Sequence, residues 1–309
     1  MKVLISGASG LLGTALTREL RARGHETAAL VRRTPVAGEV QWDPRQPLDP
    51  AKLAGFDGIV HLAGKNIAGL WTKKFKREVL ESRVLGTGTL VTAAAKSLRS
   101  TGQPRVMVCA SGMSYGDRDD ELLTEDSSSG GGFLAEVVRQ WEAACAPARE
   151  AGVRVANMRI GVVLARDGGA LKPMLLPFRL GLGGRIGSGK QYWSWIALDD
   201  VIGAMAFALE NDSVQGPVNT VGPDPVTNAV FVRALGRALH RPTIFPLPDF
   251  VVRGIMGEMG QELLLTSARV LPVKLCAAGY KFRYSDLRRA LRAALSTESK
   301  TASSRQRPD

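Results

Sequence analysis

Lys2-Val3-Leu4-Ile5-Ser6-Gly7-Ala8-Ser9-Gly10-Leu11-Leu12-Gly13 opens the 309-residue chain and decides its fold. An apolar strand runs into a Gly-x-x-Gly-x-x-Gly turn, and a helical pattern follows over Thr14–Arg23. A dinucleotide diphosphate needs that order. Gly7 permits a tight turn off the strand, Gly10 leaves no side chain in the way of the diphosphate, and Gly13 lets the helix pack close to the sheet. The helix start offers unpaired N–H groups and a partial positive charge. Ser9, Leu11 and Leu12 therefore join the three glycines as candidate cofactor residues. The same spacing also fits a plain strand–helix turn.

Outward from this turn, apolar β-branched runs alternate with helical patterns. The predicted strands are Val3–Ser6, Thr27–Val31, Gly58–Leu62, Val106–Ser111 and Val153–Arg159, and the predicted helices Thr14–Arg23, Phe75–Leu98 and Phe133–Glu150. Such alternation implies an α/β fold, a doubly wound parallel sheet of the Rossmann type, with ligands at the carboxyl ends of the strands. A Gly/Pro-rich stretch, Gly168–Gly189, breaks the rhythm, and a strand and helix follow over Trp193–Leu209. The expected organisation is a nucleotide-binding domain over 1–243, with substrate-side insertions from about 165. A small helical C-terminal lobe over 244–295 and a polar, disordered tail over 296–309 complete it.

Composition narrows the function classes. Hydrophobic residues make up 45%, as in a packed globular protein. No apolar run approaches the ~20 residues that cross a bilayer, and the first strand stands where a signal peptide would. The three cysteines, Cys109, Cys145 and Cys276, are scattered, which fits a reducing, cytoplasmic setting. They form no metal-ligand spacing with the isolated His25, His61 and His240, so no metal site is expected. The net charge of +12 is spread along the chain, and no nucleic-acid motif accompanies it. A solvated basic face plus an anionic cofactor accounts for it, and nucleic acid is not the expected partner.

The end of the second strand selects the cofactor. An NAD site places Asp or Glu there, against the ribose 2′-OH. This chain has Arg32-Arg33 instead. Two guanidiniums suit a 2′-phosphate, which points to NADP(H), although a solvated basic loop reads the same way.

Further segments carry a family resemblance. Asp57-Gly58-Ile59-Val60-His61-Leu62-Ala63-Gly64, Arg83-Val84-Leu85-Gly86-Thr87, Ser111-Gly112-Met113-Ser114-Tyr115-Gly116 and Asp199-Asp200-Val201 resemble the extended short-chain dehydrogenase/reductase superfamily, the sugar-nucleotide epimerase type. Arg83 stands where its Asn-Val-x-Gly-Thr helix has Asn. A narrower set, Phe133-Leu134-Ala135, Trp141-Glu142, Leu176 to Gly184, Gly187-Ser188-Gly189 and Ser194-Trp195-Ile196, resembles the atypical "NAD-dependent epimerase family" subgroup. That subgroup's C-terminal domain of unknown function is similar to about 244–291 here.

The resemblance implies hydride transfer with a Tyr acid/base, a Lys four residues later and a Ser or Thr on the substrate oxygen. Ser111 supplies the last. Phe133 and Val137 fall at one Tyr/Lys pair of positions, so the usual acid/base is missing. Arg83 is a candidate replacement cation. Tyr115 is a candidate proton donor, although an aromatic packed on the cofactor or core is the stronger reading, and Ser111 is open to a strand-end structural role. Leu62, Ala63 and Gly64 are expected beneath the adenosine. Glu78 is either a site residue or half of a surface ion pair, and Arg159 is expected at the ligand edge. Met174, Phe178, Gln191, Trp193 and Trp195 are either pocket or core of the second half. Two functions stay open: an NADP-dependent oxidoreductase or epimerase on a small or sugar-like carbonyl or alcohol, and an NADPH-binding regulatory or scaffold protein without turnover. A homodimer is compatible with both.

Overall fold

The computed structural model describes residues 1–296. Its centre is a seven-stranded sheet of β1 (Lys2–Ser6), β2 (Glu26–Val31), β3 (Glu39–Gln41), β4 (Gly58–His61), β5 (Val106–Gly112), β6 (Arg154–Ile160) and β7 (Gly216–Thr220). The spatial order is β7-β6-β5-β4-β1-β2-β3, and every pairing is parallel. The order reverses beside β1, which puts the ligand crevice of such a sheet above β1 and β4.

Both faces are covered, so the strands are continuous apolar runs. Val3, Ile5, Val60, Val108 and Met158 face α1 (Leu11–Ala22) and a second helix, Leu198–Glu210. The intervening Leu4, Ile59, Met107 and Val155 face α2 (Lys73–Thr101), whose Leu90, Val91 and Ala94 are fully or almost fully buried. In α1 the buried positions Gly13, Leu16 and Leu20 make one helical stripe. α2 begins where the Thr72 hydroxyl accepts from Phe75 N and ends at Gly102, φ +73.

Sequence expectation and structure part in three places. The predicted helix Phe133–Glu150 is two helices, α3 (Phe133–Ala143) and α4 (Ala146–Glu150), because Pro147 has no N–H to continue α3 and is accepted in the first turn of α4. The short strands β3 and β7 were not anticipated. The later half builds a third core, in which Leu171, Phe178, Trp193, Trp195, Phe231, Val252 and Leu291 pack together. Into it run Leu171–Arg179, Asn228–Leu239, α5 (Asp249–Gly260) and the last helix, Leu287–Leu295. Helices do dominate after residue 244, yet Arg269–Val270 also pairs in parallel with Leu122–Leu123. The expected disordered tail lies, beyond Ser296, outside the described residues.

Candidate cofactor and substrate site

Gly7 leaves β1 at φ +70, and a Cβ there would sit 2.9 Å from the Leu62 carbonyl carbon. A Cβ on Gly13 would lie 2.2 Å from the Gly7 carbonyl oxygen, so α1 rests on the turn itself. A Cβ on Gly10 would meet only that oxygen, at 3.3 Å. Gly10 caps α1 without a side-chain acceptor, and the first helical bond runs from Thr14 N to Gly10 O at 2.9 Å. The amides of Leu11, Leu12 and Gly13 thus precede the helical ladder, the arrangement that receives anions at helix starts. Ser9 and Gly10 are exposed above them.

Beneath the turn, the Ser6 hydroxyl accepts from Leu62 N at 3.1 Å and Ala63 N at 3.3 Å. Ser6 Oγ and His61 Nδ1 share a buried hydrogen bond of 2.6 Å. Burial drives the His61 pKa down to about 4, so the ring is a neutral strut.

The two arginines after β2 differ. Arg33 is held fork-to-fork by Glu39 at 2.7 Å on both nitrogens. Arg32 has no carboxylate within ion-pair distance among the described residues, and it lines a hollow with Gln41, Trp42 and Lys52.

Gly64 lies against Arg83, whose guanidinium carbon would be 3.5 Å from a Cβ there. Arg83 donates to the carbonyls of Lys65 at 3.0 Å and Val79 at 3.1 Å and lies 5.0 Å over the Trp141 ring. Burial without a counter-ion lowers its pKa to about 10. Glu78 bonds Lys65 Nζ at 2.7 Å, not Arg83, and both side chains are about a third exposed. That is the surface-pair reading of Glu78.

At the ends of β5 and β6 a polar knot forms. Ser111 Oγ donates to Glu142 Oε1 at 2.8 Å, and Arg159 grips both Glu142 oxygens at 2.8 Å. Arg159 also donates to the Tyr115 hydroxyl at 3.0 Å. Burial opposes the Arg159 charge, but Glu142 and Tyr115 outweigh it, and the pKa rises. The Tyr115 hydroxyl faces Asn219 Oδ1 at 2.7 Å and Thr124 O at 2.9 Å. Tyr115 is 0% exposed, and burial raises its pKa. Its one proton is engaged inside the protein, as in a packed core aromatic.

Phe133 and Val137 start α3. Val137 is buried. Phe133 meets Trp71 edge-on, ring centroids 5.1 Å apart, and carries the Lys76 ammonium 4.7 Å from its ring centre. Neither offers a titratable proton. Of the residues open to a pocket or a core role, Phe178, Trp193 and Trp195 are core, and Gln191 spends its amide on the carbonyls of Ile186 and Leu264.

Sequence reasoning assigned no role to Glu142. The missed signal was its place on the buried stripe of α3, in register with Ala135 and Val138, where an unpaired carboxylate would be costly. No group of His, Cys, Asp and Glu suited to a metal occurs among the described residues. No described helix is long and apolar enough to cross a membrane.

A parallel sheet reversing at β1, an open glycine turn and a strand-end serine define a Rossmann-type fold of the short-chain dehydrogenase/reductase class. The model of the NAD dependent epimerase/dehydratase family matches residues 3–222, and the chain belongs to that family. Residues 247–294 match a domain of unknown function, DUF1731. Epimerase family protein Mb2239 of Mycobacterium bovis is 42% identical over 293 residues, covering 94% of this chain and 96% of that protein. Human epimerase family protein SDR39U1 is 40% identical over 299 residues, 94% of this chain and 99% of its own. The crystal structure of the human protein (isoform 2) with NADPH superposes with a TM-score of 0.87 at 38% identity, covering 95% of this chain and 99% of that one.

Proposed function

We propose that this chain binds NADP(H) and exchanges a hydride with a small or sugar-like carbonyl or alcohol, Ser111 and Glu142 standing in for the absent Tyr–Lys pair. One observation carries the binding half: the unpartnered amides of Leu11, Leu12 and Gly13 follow β1, and the neighbouring strand β2 is followed by Arg32, a guanidinium with no ion-pair partner among the described residues. The residues fit the cofactor: Gly7 and Gly13 let the turn close on its own backbone, where a Cβ would come to 2.9 and 2.2 Å, and Gly10 leaves the exposed mouth without a side chain. The relative's NADPH supports the same choice. When bound, the nicotinamide supplies or takes up the hydride.

The chain's own groups do the rest. Arg32 meets a 2′-phosphate, while Arg33 is kept in place by Glu39. Leu62, Ala63 and Gly64 border the nucleoside. Arg83, pinned on two carbonyls, holds a positive charge next to Gly64. Ser111 Oγ accepts a hydrogen bond from a substrate hydroxyl while its proton rests on Glu142, which makes a two-link path for a proton leaving an alcohol. Tyr115 positions Arg159 in this scheme. The C-terminal lobe over 244–295 is read as a small appended domain that shares its core with the preceding half.

Phe133 and Val137 favour a second reading, NADPH binding for regulation without turnover. Tryptophan fluorescence titration with NADPH and NADH, followed by absorbance of bound NADPH against a panel of carbonyl compounds, separates the readings. NADPH-selective binding with oxidation by a carbonyl supports the first, and Ser111→Ala then lowers turnover. Binding with no oxidation across the panel supports the second. No binding of either nucleotide removes both.

A further inference from the structure

The start of α3 has no cap of its own. Gly132 stands at its N-cap at φ +100, without a side chain to accept a bond. Glu262, 129 residues on, accepts from Phe133 N at 2.6 Å and Leu134 N at 2.8 Å. It comes so close that a Cβ on Gly132 would lie 2.9 Å from its Oε1. Two backbone irregularities deliver it: Gly257 breaks α5 at φ +57, ψ −138, and Gln261–Leu265 forms a π-turn. Such turns re-aim side chains and recur at functional sites.

The same short segment holds a second element. Both Glu258 oxygens accept from Lys76 Nζ at 2.8 Å, and Gly69 N donates to Met259 Sδ at 3.4 Å. Gly69 and Trp71 belong to the strap 64–72 that runs from Gly64 to α2. The strap's start is tied to Arg83 through the Lys65 carbonyl. Its far end packs Trp71 on Phe133, and Lys76 in the first turn of α2 covers the same ring. One stretch of the C-terminal region thus joins the strap after the cofactor strand to the helix start at the vacant Tyr position.

We infer that 258–262 is a clasp that couples the C-terminal region to the dinucleotide site. Glu262 is its positioning residue, and ligand binding at Gly64 and Arg83 tightens it. This rests on the NADP(H) reading above. A carboxylate on two first-turn amides makes charge-assisted bonds favoured by the helix dipole. Glu262 holds the start of α3, Glu258 holds Lys76 in the first turn of α2, and Met259 meets Gly69 between them, so the strap and α3 move as a unit.

Hydrogen exchange of the full chain, with and without saturating NADPH, tests it in the wild type, Glu262→Gln and Glu258→Gln. In the wild type NADPH slows exchange in 7–13 and, by about threefold or more, in 66–72 and 258–265. Glu262→Gln without nucleotide speeds exchange at Phe133, Leu134 and 66–72 about tenfold, leaves β1, β4 and β5 unchanged, and weakens NADPH binding. Protection of 7–13 with no change in 66–72 and 258–265 overturns the clasp. So does a Glu262→Gln effect confined to α3, which would make Glu262 a local cap. If NADPH fails to protect 7–13, the cofactor reading fails, and the clasp is then judged on strap exchange in Glu262→Gln alone. If Glu262→Gln loosens the core strands as well, Glu258→Gln decides, with faster exchange in 66–72 expected and an unchanged rate overturning the inference.

Discussion

The glycine turn and the polar knot both sit at carboxyl ends of parallel strands, yet they are built in opposite ways. The turn is seven consecutive residues, Gly7 to Gly13, and its geometry follows from which of them lack a Cβ. The knot draws Ser111, Tyr115, Glu142, Arg159 and Asn219 from separate stretches of chain, and each member is held by another. The turn presents unpaired donors outward, whereas the knot satisfies its charges inward. A local motif announces a ligand before the fold is known. A network announces itself only after folding, and much of its role is to hold other residues still.

The contrast breaks most visibly at the turn. Gly13→Val puts a side chain 2.2 Å from a backbone oxygen that cannot yield, and it is expected to abolish soluble, cooperatively folding protein. Gly10→Ala meets its nearest atom at 3.3 Å. It should change stability by less than about 1 kcal/mol yet weaken NADPH binding. Thermal melts and fluorescence titration of the two variants check the pair. Equal loss of stability in both would show that the turn is purely structural.

The knot should respond as a unit. Glu142→Ala strands the Arg159 guanidinium, whose side chain is 11% exposed, and is expected to cost about 3–5 kcal/mol in urea denaturation. Adding Arg159→Met should restore much of that, since a buried pair contributes little over an apolar replacement. If the double variant is no better than the single one, the two residues are not coupled.

His61, bonded to Ser6 beneath the turn, gives a pH signature. Its folded pKa is about 4, against about 6.5 in the unfolded chain. The unfolded state takes up a proton first as pH falls, so stability is lost between about 6.5 and about 4, by up to about 3 kcal/mol. Urea midpoints measured at pH 7 and pH 5 should differ in the wild type and converge in His61→Gln. An undiminished difference in that variant assigns the effect to other groups.

The smallest expected effects separate the two arginines. Arg33→Ala removes an exposed pair with Glu39 and should cost under about 1 kcal/mol, leaving NADPH preference intact. Arg32→Ala should lower NADPH affinity about tenfold while sparing NADH. Unchanged NADPH affinity in Arg32→Ala would return both to the role of a solvated loop.

The sequence by itself determined five of the seven strands, their parallel sense and the glycine turn, because these depend on short-range patterns: apolar runs of strand length and glycines at fixed spacing. Tertiary structure alone decided which polar residues do something. Tyr115 reads like a proton donor in sequence, and its hydroxyl is spent in the core. Arg32 and Arg33 are adjacent, and only the arrival of Glu39 sets them apart. Glu142 and Glu262 look like ordinary helical and surface acids until Ser111, Arg159 and the first amides of α3 come within reach. Their partners lie far away in the chain, and electrostatic and hydrogen-bond energies depend on distances and burial that only the folded chain sets.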